Sequence, residues 1–325
     1  MIRYALLAAT LVLSACGDPE TRALKNSVSA LQEKALQDDT SWQLLESLTT
    51  EVGPRMGGSE GDAKAVAWSR QKMLDMGFDK VWLEFVEFPR WVRNHESATL
   101  LNNDLAELDI TALGGSPGTG GAMQAEVVFF ENLEVLEAAD PESVQGKIAY
   151  IGERMVRSQD GRGYGKTVRQ RSRGPYAAAR KGAIALLIRS AGTDYDGVPH
   201  TGMISTSEPG DPVPSAALSH PSADLLESSA KSGDSAMVEL NLDCGWDGTA
   251  VSQNVIGEVT GSGDSDEFVV VGGHLDSWDL GTGAVDDGSG VAITMAAARL
   301  VADQQPRPER GIRVVLFANE EQGIY

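Results

Sequence analysis

Residues 267–303 read EFVVVGGHLDSWDLGTGAVDDGSGVAITMAAARLVAD, and residues 310–321 read RGIRVVLFANEE. The first stretch opens on the continuous apolar run Phe268–Val271, the pattern of a strand in a sheet covered on both faces. SGVAITMAAARLVAD has helical periodicity, and RGIRVVLFA reads as a second buried strand. Strand, crossover helix and strand make a βαβ unit with parallel strands, so the fold class is α/β. Sites in open α/β sheets form at the carboxyl ends of the strands. His274 stands just past one such end, and Glu320 and Glu321 just past the next.

Three acid-rich segments therefore converge: GGHLD, GAVDDGSG and ANEEQG. Left alone, so many carboxylates would repel one another and raise their own pKa values. A divalent cation removes that cost. One imidazole among several carboxylates suits zinc better than a purely hard ion, and the acids do not follow EF-hand spacing. The glycines allow tight turns, so short acidic side chains reach one point. His274 and Asp276 are two apart and share a side of an extended chain, which lets Asp276 orient the imidazole. Glu320 and Glu321 are adjacent and point in different directions. One is free to bind metal while the other addresses a water, the division of labour that metal-assisted hydrolysis needs.

Upstream, LGGSPGTGG (residues 113–121) breaks the composition and marks a boundary. Before it, WQLLESL and AKAVAWSRQKMLDMGF read as helices, the second ending near Gly77, and VWLEFVEF as a strand. After it, AEVVFF and KIAYIG are short strands. PYAAARKGAIALLIRS reads as helix, turn and strand, and VPSAALSHPSADLLESSAKSG as strand then helix. AMVELNLDC is a further strand, and NVIGEVTG a separate one. The block from about 122 to 244 is expected to be a small β-rich insert. Nine Lys/Arg lie between Arg154 and Lys181. They read either as a solvated loop or as a grip for an anionic substrate or a partner subunit.

The chain has 325 residues, 42% of them hydrophobic, enough for one large or two smaller domains. A net charge of -20 excludes the cationic footprint of a nucleic-acid binder. At the N-terminus, Arg3 precedes a short apolar run ending in Leu13-Ser14-Ala15-Cys16. The run is too short to span a bilayer and reads as a signal peptide. Small residues before cysteine resemble the bacterial lipobox, in which Cys16 would carry the lipid and become the mature N-terminus. Cys244 would then be alone, with no intrachain disulfide.

At these residues the sequence resembles peptidase family M28, the co-catalytic zinc exopeptidases. The stretches that carry the likeness are GPRMGGSEG, KTVRQRSRG, GAIALLIRS, PHTG, GGHLDSWDLGTGAVDDGSG and ANEEQG, from about residue 40 to the end. The resemblance implies a three-layer α/β/α domain with an inserted β-rich protease-associated domain. It implies two Zn2+ ions, with His274 on the first, Asp286 bridging both and Glu321 on the second. Glu320 is then the general base, Asp276 the support of the histidine, and Asp287 structural. The divisions expected are a leader at 1–16, peptidase segments at 17–120 and 246–325, and the insert at 121–245. The family pattern includes a further aspartate and histidine downstream, so the chain is expected to be the N-terminal part of such an enzyme, cut short at the C-terminus. His95, His200 and His220 lie too far upstream to replace that histidine. His200 is expected at a turn or substrate edge, and His220 on the surface.

The implied activity is hydrolysis of dipeptides or short peptides outside the cytoplasm, of carboxypeptidase or dipeptidase type. An aminopeptidase of the same family and a non-catalytic surface lipoprotein are the alternatives. The expected partners are a peptide substrate, a bacterial envelope membrane reached through Cys16, and a second copy in a homodimer. If Cys16 bears the lipid, the protein labels with a fatty-acid probe and partitions into detergent, and Cys16→Ala abolishes both. Labelling that survives the substitution removes the lipid assignment.

Overall fold

The computed structural model describes residues 19–101, 105–232, 235–263 and 266–324. Cys16 and the leader fall outside them. None of the described helices is long and apolar enough to cross a membrane. Three helices come first, α1 (Pro19–Ala35), α2 (Thr40–Ser47) and α3 (Glu60–Asp75), then β1 (Lys80–Leu100), β2 (Ala106–Leu108) and β3 (Ile110–Ala112). The middle segment runs β4 (Met123–Phe130), α4 (Leu133–Ala138), α5 (Pro141–Val144), β5 (Ile148–Ile151), α6 (Arg162–Thr167), α7 (Arg169–Ser172), α8 (Gly174–Arg180), β6 (Ala185–Arg189), β7 (Ser215–Leu218) and α9 (His220–Lys231). The last elements are β8 (Met237–Val259), β9 (Phe268–His274), α10 (Ser289–Ala302) and β10 (Gly311–Phe317).

Local chemistry explains several boundaries. Ser59 caps α3 by accepting from Asp62 N, and the chain leaves that helix through Gly77 at φ +76°. Asn132, Asp140 and Ser219 cap α4, α5 and α9 in the same way.

The frame is the antiparallel ribbon of β1 and β8, paired from Lys80↔Glu258 to Leu100↔Val238. The two strand readings AMVELNLDC and NVIGEVTG are one 23-residue strand. The Gly- and Asp-bearing stretch between them looks like a loop, but β1 supplies it with a hydrogen-bonded ladder, and pairing overrides the weak local preference. Near its start β8 also pairs with β4, and near its end with β10. One ribbon thus carries two layers.

In the first layer β4, β5, β6 and β7 pair in parallel. Parallel neighbours need crossovers, and α4–α5 and α6–α8 supply the first two. The middle segment is therefore a mixed α/β layer rather than a β-rich one. From Arg162 to Arg180 its basic run is folded into α6, α7 and α8 instead of being a solvated loop, while Arg154 and Arg157 precede them.

In the second layer β9 and β10 are parallel, with α10 packed on them, as the βαβ reading requires. Leu48, Met73, Leu275, Val291, Met295, Val314 and Leu316 form its buried core with α2 and α3. One expectation fails here. β9 is not covered on both faces: Val269 and Val270 are 50% and 60% exposed. Among the described residues β9 pairs with β10 alone, so it is an edge strand with α10 on one side.

Candidate metal centre

His274 ends β9, and the parallel register sets Phe317, the end of β10, level with it. Leu275 N donates to Phe317 O at 2.7 Å, keeping the strands together one residue further. Asp276 follows, buried to 1% exposure. Its Oδ1 accepts from Glu320 N at 3.0 Å and its Oδ2 from Glu321 N at 3.1 Å. His274 Nδ1 lies 3.0 Å from Asp276 O and 3.3 Å from Asp276 Oδ1. One aspartate therefore fixes both the imidazole and the turn that bears the two glutamates.

With Nδ1 engaged, Nε2 faces outward. It lies 3.0 Å from Asp286 Oδ1 and 4.0 Å from Glu320 Oε2. Ligand atoms of His274, Asp286 and Glu321 all fall within 4.8 Å of one another. An imidazole nitrogen and two carboxylates at that spacing fit a divalent cation. Glu320 stands beside this group, half exposed, and is not one of the three. The structure thus brings together His274, Asp286 and Glu321, with Glu320 beside them.

Asp287 is structural here. Its Oδ2 accepts from His274 N at 3.2 Å and its Oδ1 from Gly290 N at 3.0 Å, tying β9 to the start of α10. A Cβ on Gly273 would lie 2.4 Å from Oδ2, and one on Gly290 2.2 Å from Oδ1. Glycine is required at both positions by this close approach.

Arg55, in the GPRMGGSEG loop, is a part of the site that the sequence reading left without a role. It is fully buried. Nε donates to Leu275 O, Nη1 to Thr282 O at 2.6 Å and Nη2 to Gly283 O at 2.9 Å. The guanidinium thereby pins both ends of the loop between His274 and Asp286. The only sequence signal for it is general: an acidic cluster needs a buried counter-charge. The other side of the loop is held by β1 and the turn after β3. Trp278 packs edge-on to Trp91 at 6.1 Å and fills the space a Cβ on Gly114 would occupy, while Asp279 pairs with Arg93.

The charges interact strongly. Burial disfavours the imidazolium of His274, but the hydrogen bond and charge of Asp276 and the hydrogen bond of Asp286 outweigh it and push the pKa up to about 10. Burial, then the charge of Asp286, pushes Glu321 up to about 7. Burial lowers Arg55 to about 10 against the opposing pull of Asp276, Asp287 and Glu321, so it stays cationic at neutral pH.

Beside the centre is a cavity of about 650 Å³, lined by Asp286, Glu321 and Trp278 on one side and by the loop between β6 and β7 on the other. His200, on that loop, lines it, in keeping with a substrate edge. His95 is exposed on β1 and takes no part. His220 is not a surface residue: it is 9% exposed and its ring stacks on Tyr195 at 6.3 Å.

An α/β layer whose adjacent parallel strand ends gather an imidazole and carboxylates around one point defines a class of metal-ion proteins. Residues 254–325 match the profile of peptidase family M28. A solved structure, a peptidase M28 precursor from Shewanella amazonensis, is 45% identical, with 93% of this chain and 69% of that chain covered and a TM-score of 0.87. This chain belongs to peptidase family M28. Carboxypeptidase Q of Mus musculus is 37% identical over 284 residues, covering 87% of this chain and 59% of that protein. Carboxypeptidase Q of Homo sapiens is 35% identical over 312 residues, covering 96% and 64%. The chain thus spans about three fifths of the length of these curated relatives. A zinc aminopeptidase from Bacillus subtilis, 20% identical with a TM-score of 0.63 over 88% of this chain and 62% of that one, shares the fold.

Two outcomes follow from the charges. A metal ion must displace a proton from His274 and, below pH 7, another from Glu321. Affinity for added Zn2+ therefore rises with pH, on the order of a hundredfold per unit below 7 and tenfold per unit from 7 to 10. Calorimetry across pH measures this, and a flat profile would contradict the charge network. Arg55→Met removes the donor to three loop carbonyls and costs roughly 3 kcal/mol or more in urea unfolding, with at least tenfold weaker metal binding. Arg55→Lys, keeping the charge with fewer bonds, falls between.

Proposed function

We propose that the chain carries the metal centre of an extracytoplasmic dinuclear zinc exopeptidase acting on dipeptides or short peptides, of carboxypeptidase or dipeptidase type. The observation that carries the reading is the convergence of His274, Asp286 and Glu321 within 4.8 Å, with Asp276 bonded to both strand ends. Membership of family M28 and the likeness to carboxypeptidase Q support it. His274 and Asp286 would hold one zinc ion, and Asp286 and Glu321 a second. When bound, zinc supplies Lewis acidity that polarises the scissile carbonyl and makes water a better nucleophile at neutral pH.

The remaining steps belong to the chain's own residues. Asp276 holds the backbone of Glu320, and the Glu320 carboxylate reaches to 4.0 Å from the outward face of His274. It takes a proton from the attacking water. The water oxygen bonds to the carbonyl carbon, the C–N bond breaks, and Glu320 returns the proton to the leaving amine. Arg55 and Asp287 keep the loop and α10 in place while charge moves.

The same proposal extends to place and assembly: a lipid anchor at Cys16, a bacterial envelope location, a protease-associated insert at 121–245 and a homodimer. The test of the activity uses the enzyme that carries this chain. Glu320→Gln lowers kcat on alanylalanine at least a hundredfold and keeps the metal content. Glu321→Gln loses metal. If Glu320→Gln strips metal and Glu321→Gln does not, the two roles are reversed. Hydrolysis of N-acetylated against C-amidated dipeptides reads the direction of attack.

A further inference from the structure

Of the nine cations between Arg154 and Lys181, Arg154, Arg162, Lys166, Arg169, Arg173 and Arg180 form ion pairs with acids of the middle segment. Lys181 donates to Ala139 O. Among the described residues Arg157 and Arg171 form none. Arg157 is exposed, as a solvated charge should be. Arg171 is half-buried, and its Nε is buried without an acceptor. A cation held away from water with no acid beside it is costly unless something else supplies the charge.

Its position indicates what that is. Arg171 Nη1 donates to Thr201 O at 3.0 Å, and its guanidinium lies over the Tyr164 ring at 5.8 Å. Tyr164 meets His200 edge-on at 6.3 Å. His200 N is fixed by Ser190 Oγ at 2.8 Å, and Thr201 Oγ1 by Ala112 O at 2.8 Å. Tyr164, His200 and Thr201 all line the cavity that Asp286 and Glu321 line from the other side. His200 is exposed on the cavity wall, and a neutral imidazole there offers one donor and one acceptor. Elsewhere the rim is acidic: Asp194 and Asp196 are exposed on it. The carboxylates that line the cavity, Asp194, Asp196, Asp279, Asp286 and Glu321, disfavour an anion, and Arg171 stands as a cation behind Tyr164 and Thr201.

We propose that Tyr164 and His200, backed by Arg171, form the seat for the free carboxylate of a short peptide whose scissile bond lies at the metal centre. His200 and Tyr164 donate to the carboxylate, and Arg171 is the positioning residue that supplies the opposing charge. The assignment rests on the peptidase reading and adds its specificity. It also gives the basic run a function in one residue; seven of the others make structural contacts and Arg157 is solvated.

The test compares alanylalanine with alanylalaninamide in the zinc-loaded enzyme that carries this chain. Wild type is expected to favour the acid at least tenfold in kcat/KM. Arg171→Gln raises KM for the acid tenfold or more, leaves kcat within twofold and leaves the amide unaffected. Arg171→Lys recovers part of the preference, and His200→Ala loses it as Arg171→Gln does. Variants that keep the wild-type ratio of acid to amide overturn the seat, as does a wild type without the preference. If wild type cleaves neither substrate the peptidase reading falls, and the seat is then read by nuclear magnetic resonance. Saturable shifts of the His200 ring with N-acetylalanine, absent with N-acetylalaninamide and in Arg171→Gln, uphold it; no such shifts overturn it.

Discussion

Everything at the centre depends on one buried carboxylate. Asp276 is out of water, and a buried anion is tolerated only when its lone pairs are filled. Two backbone donors from the turn after β10 fill them, and the imidazole of His274 shares the same group. That requirement sets the rest. The turn must follow β10 at the height of β9's end, which the parallel register provides. Glu320 and Glu321 are then carried to opposite duties by nothing more than being neighbours on a fixed backbone.

The negative charge this gathers is balanced from beneath. Arg55 approaches through carbonyls rather than carboxylates, so it steadies the loop without consuming the acids needed above it. Its charge is felt through space by Asp276, Asp287 and Glu321. The site is layered: cation at the bottom, structural acids in the middle, and the candidate metal-holding groups on top. Trp278 and Asp279 give the same loop a second attachment on the ribbon and on the turn after β3.

Much of this was legible in the sequence, for identifiable reasons. The βαβ unit was visible because strand and helix periods differ, and the strand ends followed from it. The sharing of a side by His274 and Asp276 needed only the two-residue repeat of extended chain, and the roles of the acids came from the family motifs. What escaped was tertiary. No local pattern announces that the glycine-bearing stretch inside β8 is held by β1, or that Val269 and Val270 stand at a sheet edge. The helices of the middle segment are short, four to seven residues apart from α9, too brief to show a period. His220 looked like a surface residue because its burial depends on Tyr195, and Arg55 looked like one basic residue in a turn because its partners are more than 200 residues away.

The ribbon of β1 and β8 also orders events in time. Lys80 and Glu258, paired at its end, are separated by 178 positions, with the whole middle segment inside the closed circuit. β10 docks on β8, and β9 docks on β10, so the metal ligands sit on strands that join the ribbon from its last-made side. Long-range closures of this kind are slow relative to local folding. During synthesis the middle segment emerges before β8, β9 and β10 and can collapse on its own short-range contacts. The metal centre is thus built from the last part of the chain to be made, on a ribbon whose other strand is made early.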